Sequence, residues 1–154
     1  MNATAEQLRD DFVKVACLAG VALSASDIAV EVLKAPHQPP TALASRKMAA
    51  YVFLWRDRCL KVGKAGPKSQ ARYVSQHYNP ASSRSNLARS ILEHRDELDL
   101  GHLGEATVGD WIKGNTTRAN FIMDRAAGVP VLGLLESFLQ CRLQPMFEGF
   151  ESQR

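Results

Sequence analysis

A chain of 154 residues with 45% hydrophobic and 23% charged residues has the size and composition of one ordinary globular domain. No apolar run approaches the ~20 residues of a membrane span, and the N-terminus lacks a basic-then-apolar leader, so neither a membrane protein nor a secreted one is expected. The formal charge of +3 is unevenly spread: residues 47–80 carry 7 basic against 1 acidic residue, residues 1–46 carry 4 against 5, and residues 81–154 carry 8 against 10.

Taken in chain order, residues 5–19 space Leu8, Phe12, Val15 and Leu18 at helical intervals, with Gly20 as a stop. Ser24 or Ser26 reads as the cap of a second helix, Asp27 to Leu33, giving a helical hairpin that covers one side of a sheet. A groove-reading helix-turn-helix is the weaker alternative, because residues 24–34 offer only Lys34 as a basic contact. A Pro-rich connector, Ala35 to Ser45, leads into the run YVFLWRDRCLKVGKAG from Tyr51 to Gly66. That run reads as two strands, 50–55 and 59–64, around a polar break at Arg56-Asp57-Arg58. A helix Lys68 to Gln76, a loop with Arg84, a helix from about residue 86 to Leu98 and a turn Val108 to Lys113 come next. A third strand is expected at 119–123 and a last helix at Val131 to Leu143, opened by Gly128-Val129-Pro130.

A three-residue break places Trp55 opposite Cys59, Phe53 opposite Lys61 and Tyr51 opposite Gly63. Alternation then puts Val52, Leu54, Leu60 and Val62 on a buried face, and Tyr51, Phe53, Trp55, Cys59 and Lys61 on the other. Tyr51 and Lys61 become diagonal neighbours on a face at the start of the basic segment. In the last helix Glu136 lies only about 40° from Leu132, at the border of the apolar stripe, where an ionised carboxylate needs a partner, water or a cation.

Other chemistries find little footing. Cys17, Cys59 and Cys141 are odd in number and make no metal-ligand spacing with His37, His77, His94 or His102; reduced cysteines in a cytoplasmic setting are expected. Gly63-Lys64-Ala65 lacks both the earlier glycine and the following Ser/Thr of a phosphate loop.

The hairpin, the helix after it and the C-terminal helix resemble the GIY-YIG nuclease family over roughly residues 48–78 and 118–149. Ala49-Ala50-Tyr51 stands where Gly-Ile-Tyr would, and Lys61-Val62-Gly63 where Tyr-Ile-Gly would. Arg72 takes the place of the helix arginine, and LLESFLQCRLQPMFEG from Leu134 to Gly149 that of the glutamate helix with its trailing proline. Lys61 replaces the second triplet's tyrosine, as in restriction-type members, and Glu148 stands where the family has an asparagine.

The expected fold is therefore α+β: a small three-stranded antiparallel sheet flanked by helices, with an N-terminal helical extension (1–46) and a helical insertion at about 79–117 in a nuclease-like domain, 47–154. The resemblance implies an endonuclease cutting DNA phosphodiester bonds with Mg²⁺ or Mn²⁺. It implies that Tyr51 and Lys61 activate or orient water, either of them taking the proton, and that Glu136 holds the metal. Arg72 and Lys64 would hold the scissile phosphate, and Lys64, Lys68, Arg72 and Arg84 would contact DNA. The competing expectation is a module that grips nucleic acid with the same basic face without cutting it. Target choice or self-association would be encoded in 1–46 and 79–117.

Overall fold

The computed structural model describes residues 4–147. Helix α1, Ala5–Leu18, is capped by Thr4, whose hydroxyl accepts from the Gln7 N–H at 3.2 Å. It buries Leu8, Phe12 and Ala16, and Gly20 ends the turn after it with φ +78. Leu18 points to solvent, 90% exposed, and Ala16 takes the core position expected of it.

The second helix expected at Asp27–Leu33 is instead a strand. The cap itself is real: the backbone N–H and hydroxyl of Ser24 both donate to the Asp27 carboxylate, at 2.8 and 2.7 Å. It stabilises only one 3₁₀ turn, Ala25–Asp27, before β1 runs from Ile28 to Leu33. IAVEVL holds Ile28, Val30 and Val32 at alternate positions, stiff β-branched residues that favour a strand. β1 pairs antiparallel with β4, from Ile28 opposite Met123 to Leu33 opposite Arg118.

The sheet therefore has four strands, all antiparallel, in the order β1-β4-β2-β3. β2 is Lys47–Trp55, β3 is Arg58–Ala65 and β4 is Thr117–Asp124. The hairpin turn is two residues, Arg56-Asp57, with Arg56 at φ 53, one residue shorter than the sequence suggested. Tyr51 lies opposite Gly63 and Phe53 opposite Lys61, as expected. A bulge then shifts the register, so Leu54 meets Cys59 and Trp55 meets Arg58. Cys59 thereby joins Val52 and Val62, and Leu60 crosses to the side of Tyr51, Phe53 and Trp55.

Both faces of the sheet are covered. On one, α1 and the last helix α5, Val129–Leu143, enclose Met48, Ala50, Val52, Phe121 and Met123. Leu132, Leu135 and Leu139 of α5 are buried there, each contributing roughly 1.5–3 kcal/mol. On the other, residues 70–115 supply α2 (Gln70–Val74), α3 (Leu87–Glu93) and α4 (Val108–Asn115). Tyr73, Leu87, Ile91, Val108 and Ile112 from these helices bury Tyr51, Phe53 and Trp55.

The face carrying Tyr51 and Lys61 is thus interior, contrary to the expectation that it faces outward. Alternation assigns residues to faces but cannot tell which face a later insertion will cover. Beyond α5 the chain returns to the open edge of β3, where the Met146 and Phe147 N–H groups donate to the carbonyls of Cys59 and Leu60 at 2.9 Å. Glu148 lies outside the described residues. Among the described residues no helix is long and apolar enough to cross a membrane.

Candidate functional site

The open end of the hairpin gathers residues from distant parts of the chain. Tyr51, on the central strand β2, lies with its ring across Gly63 of β3. A Cβ at Gly63 would stand 2.7 Å from the Tyr51 hydroxyl oxygen and 2.8 Å from its ring, so the glycine is what lets the ring lie flat on its neighbour. Arg72 on α2 donates its Nε–H to Tyr51 Oη at 3.2 Å. The expected nine-residue helix is only the five of α2, continued by a 3₁₀ turn, Gln76–Tyr78.

That turn supplies a residue that no sequence motif singles out. His77 is buried, and its Nε2 lies 2.6 Å from Tyr51 Oη. Its Nδ1 accepts from the backbone N–H of Leu87 at 3.2 Å, so the neutral ring carries its proton on Nε2 and donates it to the phenol. Burial, then the charges of Lys61, Arg118 and Arg72, hold the His77 pKa well below 6.5. Tyr51 Oη therefore accepts two hydrogen bonds and keeps its own proton to donate. Burial pushes its pKa above 10, Arg72 and Arg118 pull it back, and the charge of Glu136 raises it slightly. The phenol is protonated at neutral pH.

A neutral buried histidine has a consequence for stability. Below about pH 6.5 the unfolded chain binds a proton that the folded ring rejects. Stability is complete above that pH and falls as the pH drops toward the folded value, by up to about 1.4 kcal/mol per pH unit. Thermal melts from neutral pH down to about pH 5 should show this slope. His77→Gln, which can still donate to Tyr51 but does not titrate, should flatten it.

Lys61 is wholly buried on the Tyr51 side of the sheet, and its charge acts on His77. It belongs to the interior of the site and is not the solvent-facing lysine expected. Glu136, at the edge of the buried stripe of α5, has its side chain 17% exposed, and Lys64 of β3, 41% exposed, donates to its Oε2 at 2.5 Å. The partner that the stripe position calls for is this ammonium. Lys68 and Arg84 are exposed, ahead of α2 and in the loop before α3, and join neither bonded pair.

The basic segment is less positive at its surface than its composition suggests. Lys61 is buried, Lys47 lies 3.7 Å from Asp124 and Lys64 is paired with Glu136. Arg56 stacks 4.3 Å over the Trp55 ring at the hairpin tip, the far end of the strands from Tyr51. Exposed Lys68, with half-buried Lys64 and Arg72 in their bonded pairs, forms the cationic rim of the open end.

A second element without a motif is on β4. Arg118 and Asn120 are fully buried on the side of Tyr51, alternating with Ala119, Phe121 and Met123 on the other. Polar residues at alternate positions of a strand covered on both faces were the available signal.

For a metal, the donor set is a single carboxylate. Among the described residues no group of three His, Cys, Asp or Glu side chains is placed to hold an ion. An all-protein cage is therefore not built from them, whereas a hard cation that keeps its waters and takes phosphate oxygens needs only a group such as Glu136. The residues fit that second mode, in competition with Lys64. Comparison with protein-family profiles, curated proteins and solved structures finds no match to this chain.

Proposed function

We propose that the chain is a divalent-metal-dependent endonuclease that hydrolyses DNA phosphodiester bonds. One observation carries the reading. Two bonded pairs stand at neighbouring positions of one hairpin, Tyr51 with Arg72 toward α2 and Lys64 with Glu136 toward α5, and the charge of Glu136 reaches Tyr51. The hairpin and the helix after it supply Tyr51, Lys64 and Arg72 from one stretch of chain, and the docking of α5 adds the carboxylate of Glu136.

The chemistry comes from the donors. Arg72 and Lys64 hold the oxygens of the scissile phosphate, the guanidinium through its planar fork. When the phosphate arrives, the Lys64 ammonium exchanges the Glu136 carboxylate for a phosphate oxygen and leaves the carboxylate available. Glu136 would then hold Mg²⁺ or Mn²⁺, which supplies a Lewis acid at the phosphate and a more acidic bound water. Tyr51, protonated and fixed by His77 and Arg72, directs its hydroxyl at the attacking water or at a phosphate oxygen. Its raised pKa favours orienting water over removing its proton.

A second reading, a module that binds nucleic acid on the same face without cutting, is favoured by two observations. Tyr51 is closed off from solvent, and Glu136 is already neutralised by Lys64. Supercoiled plasmid incubated with the protein and Mg²⁺, then with EDTA, separates the two. Cutting that EDTA abolishes supports the nuclease; a gel shift in EDTA with no cutting in Mg²⁺ supports the binding module.

Either reading predicts salt-dependent DNA affinity centred on the cationic rim. Replacing Lys64 and Lys68 by Ala should reduce the slope of log K against log salt by about 0.9 for each phosphate that is no longer neutralised. An unchanged slope places the DNA-binding surface elsewhere.

A further inference from the structure

Arg118 is a buried cation that the proposed chemistry leaves unused. Among the described residues no carboxylate touches it directly. Its Nε–H donates to Asn120 Oδ1 at 2.8 Å, Nη2 to the Tyr73 carbonyl at 2.7 Å and Nη1 to the Tyr78 hydroxyl at 3.3 Å. Its Cζ stands 5.1 Å from the ring centre of Tyr51, 5.2 Å from Phe53 and 4.9 Å from Tyr73. The chain has three tyrosines, and all three surround this guanidinium. A link to a counter-charge runs through Asn120, whose Nδ2 donates to Glu31 Oε2 on β1 at 2.8 Å.

Burying a guanidinium costs several kcal/mol unless its donors and charge are matched. Here hydrogen-bond acceptors and three aromatic faces do the matching. The aromatic contacts are reciprocal: the planar cation fixes the rings as firmly as they fix it, because the interior leaves neither room to turn.

We propose that Arg118 is the positioning residue of this site. It clamps the Tyr51 ring in the attitude that meets Arg72 and His77, and ties it through Asn120 and Glu31 to the N-terminal strand. The statement about cleavage rests on the nuclease reading; the clamp does not. β1 is then a working part of the site, bearing through Glu31 on the residue that holds the phenol.

Other charged groups also face these phenols, so the test must isolate Arg118. Tyr51 meets Arg72 and His77, with Lys61 diagonal to it on β3 and Glu136 acting from α5. Tyr73 meets Glu31, and Tyr78 meets His37 at 2.9 Å, with Lys113 acting from α4. Removing a cation from this group delays phenol ionisation, whereas a purely structural change has no fixed sign.

The experiment labels the protein with ζ-¹³C tyrosine, giving three signals, with Tyr51→Phe identifying the one that matters. In Arg118→Met the Tyr51 signal should shift at neutral pH. Over about pH 8–11 its ionisation should begin later than in the wild type. Arg118→Lys should restore part of both. Plasmid cleavage should fall by up to ~10²-fold, the cost of misplacing a group by about 1 Å, while gel-shift affinity stays within about twofold because Arg118 is out of reach of DNA.

If Arg118→Met does not fold, Asn120→Ala removes the Nε acceptor and should move the same signal. A folded variant with the Tyr51 signal and its ionisation onset unchanged overturns the clamp. A shifted signal with wild-type cleavage overturns the positioning role. A wild-type protein that cuts nothing sinks the nuclease reading instead, and the spectra still decide the clamp.

Discussion

Replacing Glu136 by glutamine is expected to abolish Mg²⁺-dependent cleavage while leaving the fold and DNA binding in place. The side chain sits at the border of the α5 stripe, 17% exposed, and it is bonded to Lys64, itself 41% exposed. A pair this close to solvent contributes no more than about 1 kcal/mol, so melting should change little. Glutamine keeps the shape and the helix propensity. It removes the one anionic ligand the site offers, and losing the Lewis acid at the phosphate should cost on the order of 10³-fold or more in rate. Lys64 is released at the same time. DNA affinity should therefore hold or rise, most clearly at low salt, where an unopposed ammonium near the phosphate counts for most. Melting, a gel shift and plasmid cleavage on this one variant check all three statements. A folded Glu136→Gln protein that still cuts with Mg²⁺ would falsify the site as drawn.

Tyr51→Phe should lower cleavage by roughly 10²–10⁴-fold, the range for losing a group that handles protons. The ring would stay, since it packs edge-on against Phe53 and His77, with centroids 6.0 and 4.9 Å away, and lies across Gly63. Only the hydroxyl goes. His77 Nε2–H then loses its acceptor in a buried place, which costs about 1–3 kcal/mol; half-buried Arg72 can turn to water. A lower melting temperature with DNA affinity unchanged is the expected pattern, measured by calorimetry and gel shift. Wild-type cleavage by this variant would move the chemistry off Tyr51 altogether.

Local pattern accounts for part of this fold. Aromatic and β-branched runs around a polar turn are sufficient to place β2 and β3, and their register holds from Tyr51–Gly63 to Phe53–Lys61. The amphipathic spacing of α1, the Gly-Val-Pro opening of α5 and the border position of Glu136 are equally local. So is the need of Glu136 for a partner, water or a cation, since a carboxylate beside Leu132 and Leu139 lies at the border of the apolar stripe wherever the helix packs.

The rest turns on which surfaces meet. Ser24 and Asp27 make the cap that reads as a helix start, and only pairing with β4 carries Ile28–Leu33 off as a strand. One bulge at Leu60 reassigns Cys59 to the opposite face, which alternation alone cannot foresee. Residues 70–115 cover the side of Tyr51 and Lys61, turning a face read as open into an interior. There a phenol needs His77 and Arg72, and a guanidinium needs three rings. The identity of the Glu136 partner, an ammonium from β3, is likewise fixed by how α5 docks on the sheet, since a helix stripe records that a carboxylate needs satisfying but not what satisfies it.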